Sequence, residues 1–234
     1  MPLPKIETPV FELDLPSTGE KIKFRPFLVK EQKNLLIAQQ TENALNMQNA
    51  LVQILSDCTF NKISAHDIPM FDVEYLFLKI RCKSVGENIQ LSVLCPDDDE
   101  TRVDVNINLD ELEVQVTEDH TNEIEISKDI KLFMRYPYLK DTLGLEGENS
   151  IDAIFTLLKR CVNEIHHGDE VYNKVDITVE EMNEFVDKLS TDAFERIGKF
   201  FETMPKIVHI LNVENPKTKK KGEVVIQGLE SFFV

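Results

Sequence analysis

The stretch LSVLCPDDDETRVDVNINLDELEV, from Leu91 to Val114, holds residues that could bind a metal ion. It alternates as a strand, a turn and a second strand do, with one cysteine and three consecutive aspartates at the turn. A calcium loop of the EF-hand type needs glycine at its sixth position and an acidic residue at its twelfth. Counted from Asp97 or from Asp104, the sequence has neither. The pattern therefore predicts an ordinary hairpin with a solvated acidic turn.

Structural zinc usually requires four cysteine or histidine ligands in two close pairs. The cysteines of this chain are widely spaced and form no C-x-x-C pair, and the adjacent His166 and His167 would point in different directions from a helix end. We therefore predict no metal, no cofactor and, for a chain kept in a cytoplasm, no disulfide. Cys58 and Cys161 lie on apolar helix faces and are expected to be small buried residues.

Nucleophilic catalysis has one candidate, Cys82 in the segment IRCKSVGE. The neighbouring Arg81 and Lys83 could lower the pKa of its thiol, so a thiol enzyme would label rapidly at this residue near neutral pH. No histidine base with an orienting acid accompanies it in a recognisable pattern. No G-x-x-x-x-G-K-[ST] run provides a phosphate-binding loop. We therefore predict no enzymatic activity, no catalytic residues and no small-molecule substrate.

The charge of the chain limits its classes of partner. The formal net charge is -16, from 26 Lys+Arg against 42 Asp+Glu, so the surface repels phosphate backbones. The basic run KTKKK, at 217–221, is predicted to be a hairpin tip. No apolar run reaches the roughly 18 residues that span a bilayer, and MPLPKIETPVFELDL has no signal-peptide core. We expect a cytoplasmic protein that binds neither nucleic acid nor membrane and favours partners with basic surfaces.

The elements that would position these residues occur twice in the same order. VFELDLPSTGEKIKFRPFLVKE at 10–31 and EIEISKDIKLFMRYPYLKD at 123–141 each predict two short strands and then a corner of arginine, aromatic residues and proline. The spacing of apolar residues predicts an amphipathic helix after each corner, over 44–58 and over 151–165. Ser150 and Gly168 are the predicted caps of the second of these helices.

Further helices and a closing ribbon complete each predicted half. In the second half, Thr178 and Glu181 form a capping box ahead of one helix. The closing ribbons are the stretch described above and the C-terminal segment 207–234. We therefore predict an α+β fold with internal duplication, in which two similar tandem halves, 1–118 and 119–234, each pack helices on small antiparallel hairpins and ribbons.

Three segments carry a resemblance to a known family: IKFRPFLVKEQKNLLIA, LKIRCKSVGENIQLSVLC and, near the C-terminus, IQGLESFF. Over nearly the whole chain the sequence resembles the baseplate hub assembly proteins of T-even-like contractile-tailed phages. The resemblance implies a small late protein that helps to build the central hub of the tail baseplate, without known catalysis. It implies a location in the cytoplasm of the infected bacterium during tail assembly, or in the virion.

The function predicted from this resemblance is that of a non-enzymatic, chaperone-like assembly factor whose partners are other baseplate hub proteins. The alternative is a permanent structural subunit of the baseplate, and a homo-oligomer is left open. An acidic, partly apolar face would give specificity through complementary charge. At the corners, the proline and aromatic side chains could instead only turn the chain and fill the core, which is favoured for Phe27. The predicted partner-binding residues are Arg25, Arg135, Tyr136, Tyr138, Leu229, Phe232 and Phe233.

Some members of the resembled family carry C-x-x-C knuckles at the ribbon turns. In this chain Cys95 matches the first position and Asp98 stands where its partner would fall. At the second ribbon, Asn215 and Pro216 occupy the equivalent turn. This departure gives no reason to transfer a family metal to the chain.

Overall fold

The structure of the chain is a computed structural model that describes residues 6–41, 43–145 and 150–228. Within these ranges it contains six α-helices and eleven β-strands, and every pair of neighbouring strands is antiparallel. The predicted α+β class is therefore confirmed. None of the described helices is long and apolar enough to cross a membrane.

The helices are α1 (Val29–Gln40), α2 (Ala44–Cys58), α3 (Met70–Val85), α4 (Ser150–Cys161), α5 (Val179–Asp187) and α6 (Thr191–Thr203). The first strands are β1 (Phe11–Asp14), β2 (Lys21–Phe24), β3 (Asn88–Leu94), β4 (Arg102–Asn108) and β5 (Val114–Gln115). The later strands are β6 (Glu123–Ser127), β7 (Ile130–Met134), β8 (Val162–His167), β9 (Glu170–Asn173), β10 (Lys206–Glu214) and β11 (Lys221–Gln227).

Contacts group the chain into two compact units. The first consists of Met1–Gln115 together with Lys206–Val234, and the second of Val116–Pro205. This grouping differs from the predicted halves in one element, the C-terminal ribbon, which lies with the first unit. The predicted halves were defined by the repeated order of elements in the sequence. The internal duplication that this order suggests stays a prediction.

The first unit is built around α3, whose central residues have almost no contact with solvent. Leu76 and Phe77 are 0% exposed, as expected for a segment that is apolar nearly all round. The ribbon β3–β4 and the strands β10 and β11 of the sheet β11-β10-β5 pack against it. Alternation along the ribbons directs one apolar face inward. The shared core holds Leu78 and Cys82 of α3 with residues of both ribbons, among them Leu91, Ile107, Leu211 and Ile226.

The second unit packs α4, α5 and α6 against a four-stranded sheet in the order β6-β7-β8-β9. Its core holds Leu132 of β7, Leu158 of α4, Met182 of α5 and Phe200 of α6. The capping box predicted ahead of α5 is confirmed. The Glu181 amide donates to the Thr178 hydroxyl at 3.2 Å, and the Thr178 amide donates to the Glu181 carboxylate at 2.9 Å.

The helix predicted over 151–165 is shorter than expected, because α4 ends at Cys161 and Val162–His167 is strand β8. Ile165 pairs with Leu132 of β7, so sheet pairing overrides an apolar spacing that also fits a helix. Gly168 is therefore not a helix cap. Its φ of 59° lies in the tight turn between β8 and β9, where glycine adopts the left-handed conformation at low cost.

Candidate functional site

The first corner is a buried ion pair that fixes the start of α1. The Arg25 guanidinium donates to the Glu31 carboxylate at 2.9 Å and to the Pro26 carbonyl at 2.9 Å. The same carboxylate accepts the Leu28 amide at 2.8 Å, one residue before the helix. Arg25 is 9% exposed and Glu31 is 1% exposed. The structure thus places Arg25 in the interior of the first unit, and its role in partner binding stays a prediction.

Hydrogen bonding keeps this buried carboxylate charged. Burial alone would raise the pKa of Glu31, because it disfavours the ionised form. The hydrogen bonds from Arg25, from the Leu28 amide and from Lys30 outweigh burial and lower the pKa to about 2. The Arg25–Glu31 pair is therefore charged at neutral pH. Both carboxylate oxygens of Glu31 have hydrogen-bond partners.

The second corner also holds an arginine–carboxylate ion pair, which here is bidentate. The Arg135 guanidinium donates to the two Asp141 carboxylate oxygens at 2.6 and 2.9 Å. It also donates to the carbonyl oxygens of Tyr136, at 3.1 Å, and Arg160, at 2.8 Å. Asp141 accepts the Tyr138 amide at 2.8 Å. As in the first corner, an arginine and a carboxylate six residues later hold the chain at its bend.

The aromatic residues of the corners lie in different surroundings. Phe27 is 8% exposed, which favours the core-filling alternative for this residue. The ring centre of Tyr136 lies 5.9 Å from that of Phe200 in the second core. Tyr138 is half-buried, and the guanidinium carbon of Arg135 lies 4.6 Å from its ring centre. The remaining predicted contact residues, Leu229, Phe232 and Phe233, lie outside the described residues.

The turns of the two ribbons have the same local geometry. In the first, the Asp99 amide donates to the Cys95 carbonyl at 3.0 Å; in the second, the Lys219 amide donates to the Asn215 carbonyl at 2.9 Å. Asp99 and Lys219 have φ values of 53° and 61°, so both turns pass through the left-handed region at the same position. A proline follows the first residue of each turn.

These two turns are bound to each other by side chains. The Asn215 amide nitrogen, in a residue only 1% exposed, donates to Asp97 at 2.8 Å and to Asp98 at 2.9 Å. The Thr218 hydroxyl donates to the second oxygen of Asp97 at 2.5 Å. Cys95 is fully buried beside them. In this chain, the two ribbon turns at which some family members are expected to carry C-x-x-C pairs are thus joined by hydrogen bonds.

The acidic tip is largely exposed, as the sequence predicted, and Asp97 and Asp98 in addition have hydrogen-bond partners on the second turn. The hydrogen bonds from Thr101 and Asn215 hold the pKa of Asp98 well below its usual range, and those from Thr218 and Asn215 lower that of Asp97. No local sequence pattern predicts this pairing, because Asn215 lies 118 residues from Asp97. In the described part of the chain, no three Cys, His, Asp or Glu side chains are grouped so that they could hold a metal ion.

A glycine allows the ribbons to approach each other. A Cβ atom at Gly222 would lie 2.5 Å from Cγ of Pro96, whose ring cannot move aside easily.

Gly222→Ala is expected to destabilise the protein by about 1–3 kcal/mol, since overpacking forces the two turns apart. Gly198→Ala is the matched control, because Gly198 lies inside α6 with open space around it. That change should stabilise the protein by up to about 1 kcal/mol. Urea unfolding followed by circular dichroism measures both, and equal effects would contradict the close packing of the turns.

The thiols are shielded from solvent. All four cysteines are buried, and Cys82 is 3% exposed. Burial, and to a lesser degree the charge of Asp110, raise the pKa of Cys82 to about 11, against the smaller lowering by Lys79, Lys83 and Arg81. The proximity of basic residues in sequence is therefore outweighed by desolvation.

Thiol labelling of the folded chain is expected to be slow. With a chromogenic disulfide reagent at pH 7.5, all four cysteines should react at least ~100-fold more slowly than in urea, because only an opened conformation exposes them. The urea-denatured chain provides the control rate for free thiols. Rapid labelling of Cys82 in the folded chain would instead support the thiol-enzyme alternative.

The fold and its polar clusters define an acidic α+β protein in which arginine–carboxylate corners and linked ribbon turns hold the chain together. The chain belongs to the T4 bacteriophage base plate protein family, whose sequence model matches residues 8–234. This match confirms the resemblance seen in the sequence and gives the protein a role in a phage tail baseplate. No curated protein and no solved structure matches the chain.

Proposed function

We propose that this baseplate protein is a non-enzymatic, chaperone-like factor that helps to assemble the hub of a contractile phage tail. The observation that carries the proposal is the family match over residues 8–234. The burial and raised pKa of the Cys82 thiol, the candidate nucleophile named from the sequence, support a non-enzymatic role. The partners would be other hub proteins, met in the cytoplasm of the infected bacterium.

The net charge of -16 supports a mechanism based on binding. An acidic surface attracts partners with basic surfaces, accelerates their encounter and disfavours wrong pairings. Such a factor would cover an interface of a hub protein until the correct subunit replaces it. Of the predicted contact residues in the described chain, Tyr138 best fits this role, because tyrosine suits interfaces and its ring is only half-buried.

Quantitative mass spectrometry of the phage that carries this chain tests the proposal. An assembly factor should be present in baseplate intermediates and depleted from purified mature particles. A fixed stoichiometric copy number in mature tails would overturn the transient role and favour a permanent structural subunit. Co-expression with individual hub proteins, followed by pull-down, would identify the partner.

We also propose that the chain arose by internal duplication. Supporting this, the Arg25 amide donates to the Cys58 carbonyl at 2.9 Å, and the Arg135 amide donates to the Cys161 carbonyl at 2.8 Å. Each of these arginines also binds a carboxylate six residues later, and each cysteine ends a helix. An experimental structure that lacked the ion pair at one corner would count against the duplication.

A further inference from the structure

A groove opens in the second unit between the edge strand β9 and the start of α5. It has a volume of about 330 Å³ and a largely apolar lining of Ile130, Ile165, Tyr172, Ile177 and Phe185. β9 is the outermost strand of its sheet, and all four of its residues are exposed. We refer to this site as the β9–α5 groove. It combines an apolar hollow with a strand edge that could accept another strand.

Large apolar side chains are exposed beside this groove. Val175 is 89% exposed and Val179 is 72% exposed, and they flank Ile177 of the lining. In β9 itself, Tyr172 of the lining is 44% exposed. Scattered apolar residues on a surface need no explanation, but a group of them around an apolar hollow is typical of an interaction site.

The rim of the groove is acidic. Asp176 and Glu181 line it, and Glu170 accepts a hydrogen bond from the Tyr172 hydroxyl at its edge. The nearby Lys174 is a half-buried residue that donates to the Lys159 carbonyl at 2.9 Å, and His167 also lines the groove. The three carboxylates of Glu170, Asp176 and Glu181 outnumber the single lysine at the rim. A ligand for this site should therefore carry positive charge beside its apolar groups.

We propose that the β9–α5 groove binds an extended segment of a partner protein that carries apolar residues and lysine or arginine on the same face, two residues apart. The segment would pair with the edge of β9, insert apolar side chains into the hollow and place its basic side chains against the acidic rim. A second copy of this chain fits poorly, since pairing β9 with β9 would bring the Glu170 and Asp176 rims of two acidic chains together. The inference rests on the proposed function, because the partner would be one of the proteins being assembled.

The probe for this site is a synthetic peptide in which valine and lysine take every second position in turn, with serine between them, added to the full ¹⁵N-labelled chain. Amide chemical shifts should change mainly at Glu170–Asn173 and over 175–185. A lysine–serine peptide has the same charge without apolar side chains, and a glutamate–valine peptide reverses the charge. Both should bind at least ~10-fold more weakly. Equal binding of the lysine–serine peptide, or shifts centred elsewhere, would overturn the proposal.

Substitutions separate specific docking from general attraction to an acidic protein. The double variant Val175→Ser, Val179→Ser should weaken binding of the lysine–valine peptide at least ~10-fold without unfolding the chain, because both side chains are exposed. Val116→Ser is the matched control, since Val116 is 65% exposed and lies in the same unit. Unlike Val175 and Val179, it is not within two residues of any residue of the groove lining. It should change affinity less than ~2-fold. Similar losses in both variants would contradict the site.

Two further outcomes have distinct meanings. Concentration-dependent dimerisation that the peptide competes away, and that Val175→Ser weakens, would replace the proposed partner by a second copy of the chain. Failure of the peptide to bind would remove the groove as a docking site for this ligand. It would leave the assembly role standing, because that role is tested independently on intermediates and mature particles.

Discussion

Replacing Glu31 with alanine is expected to destabilise the protein by about 3–5 kcal/mol. The substitution leaves the Arg25 guanidinium buried without its carboxylate, and removing one partner of a buried ion pair carries a cost of this size. It also removes the acceptor of the Leu28 amide at the start of α1. Chemical denaturation followed by circular dichroism measures the loss as a lower midpoint at an unchanged slope.

Two controls separate the buried pair from a general effect of removing a glutamate. Glu184→Ala breaks the ion pair between Lys188 and Glu184, whose side chains are 76% and 74% exposed. Because such an exposed pair contributes little, this variant should change stability little. The double variant Arg25→Met, Glu31→Leu removes both charges and should be more stable than Glu31→Ala alone. If Glu31→Ala and Glu184→Ala were equally mild, the corner would not be an important structural ion pair.

The same pair predicts a pH dependence of stability. The pKa of Glu31 is about 2 in the folded chain and near its usual value of 4.5 when unfolded. Between these values the unfolded state binds more protons, so stability is present above about pH 4.5 and is lost as the pH falls towards 2. Glu31→Ala should lack this component, and the difference from the unsubstituted chain should shrink over that range.

Asn215→Asp is expected to cost about 3–4 kcal/mol at neutral pH, although it changes only one amide into a carboxylate. The side chain loses both donated hydrogen bonds, which are worth more than usual because Asp97 and Asp98 are charged. A third carboxylate is also forced close to the other two. Asn212→Asp makes the same change at an exposed position of β10 opposite Glu223, and the repulsion between these exposed carboxylates should cost at most about 1 kcal/mol.

Acidification should partly rescue this variant. Burial and two neighbouring carboxylates would raise the pKa of the new carboxyl group in the folded state, so its penalty is full above that pKa and fades as the pH falls. Denaturation midpoints measured at pH 7 and pH 5 test this against the unsubstituted chain. An Asn215→Asp variant as stable as Asn212→Asp would show that the two ribbon turns do not depend on the Asn215 amide.

The elements predicted from local patterns were largely found. Alternating residues identified the hairpins and ribbons, the run around Phe77 identified a helix with a buried centre, and Thr178 with Glu181 identified the start of α5. These signals are local, because pleat, helical spacing and capping each act over a few residues. The resemblance to the baseplate family rested on three contiguous segments, so a single sequence was enough to detect it.

Long-range features could not be predicted in this way. The strand β8 has an apolar spacing that also fits a helix, and only its pairing with β7 decides between them. The hydrogen bonds that Asp97 and Asp98 accept from Asn215 were not predicted, because Asn215 is distant in sequence. The β9–α5 groove was missed for the same reason, since Ile130 and Phe185 meet only in the folded unit.

The chain leaves its first unit at Gln115 and returns to it at Lys206, which has a consequence for synthesis on the ribosome. Every residue of the second unit has been translated once Pro205 is added, whereas the core around Cys82 and Leu91 still lacks Leu211 and Ile226. The unit encoded first is therefore the last to be completed. Until the C-terminal ribbon emerges, the apolar core residues of the first unit stay uncovered. A nascent chain halted near residue 205 would therefore expose an apolar surface that promotes aggregation.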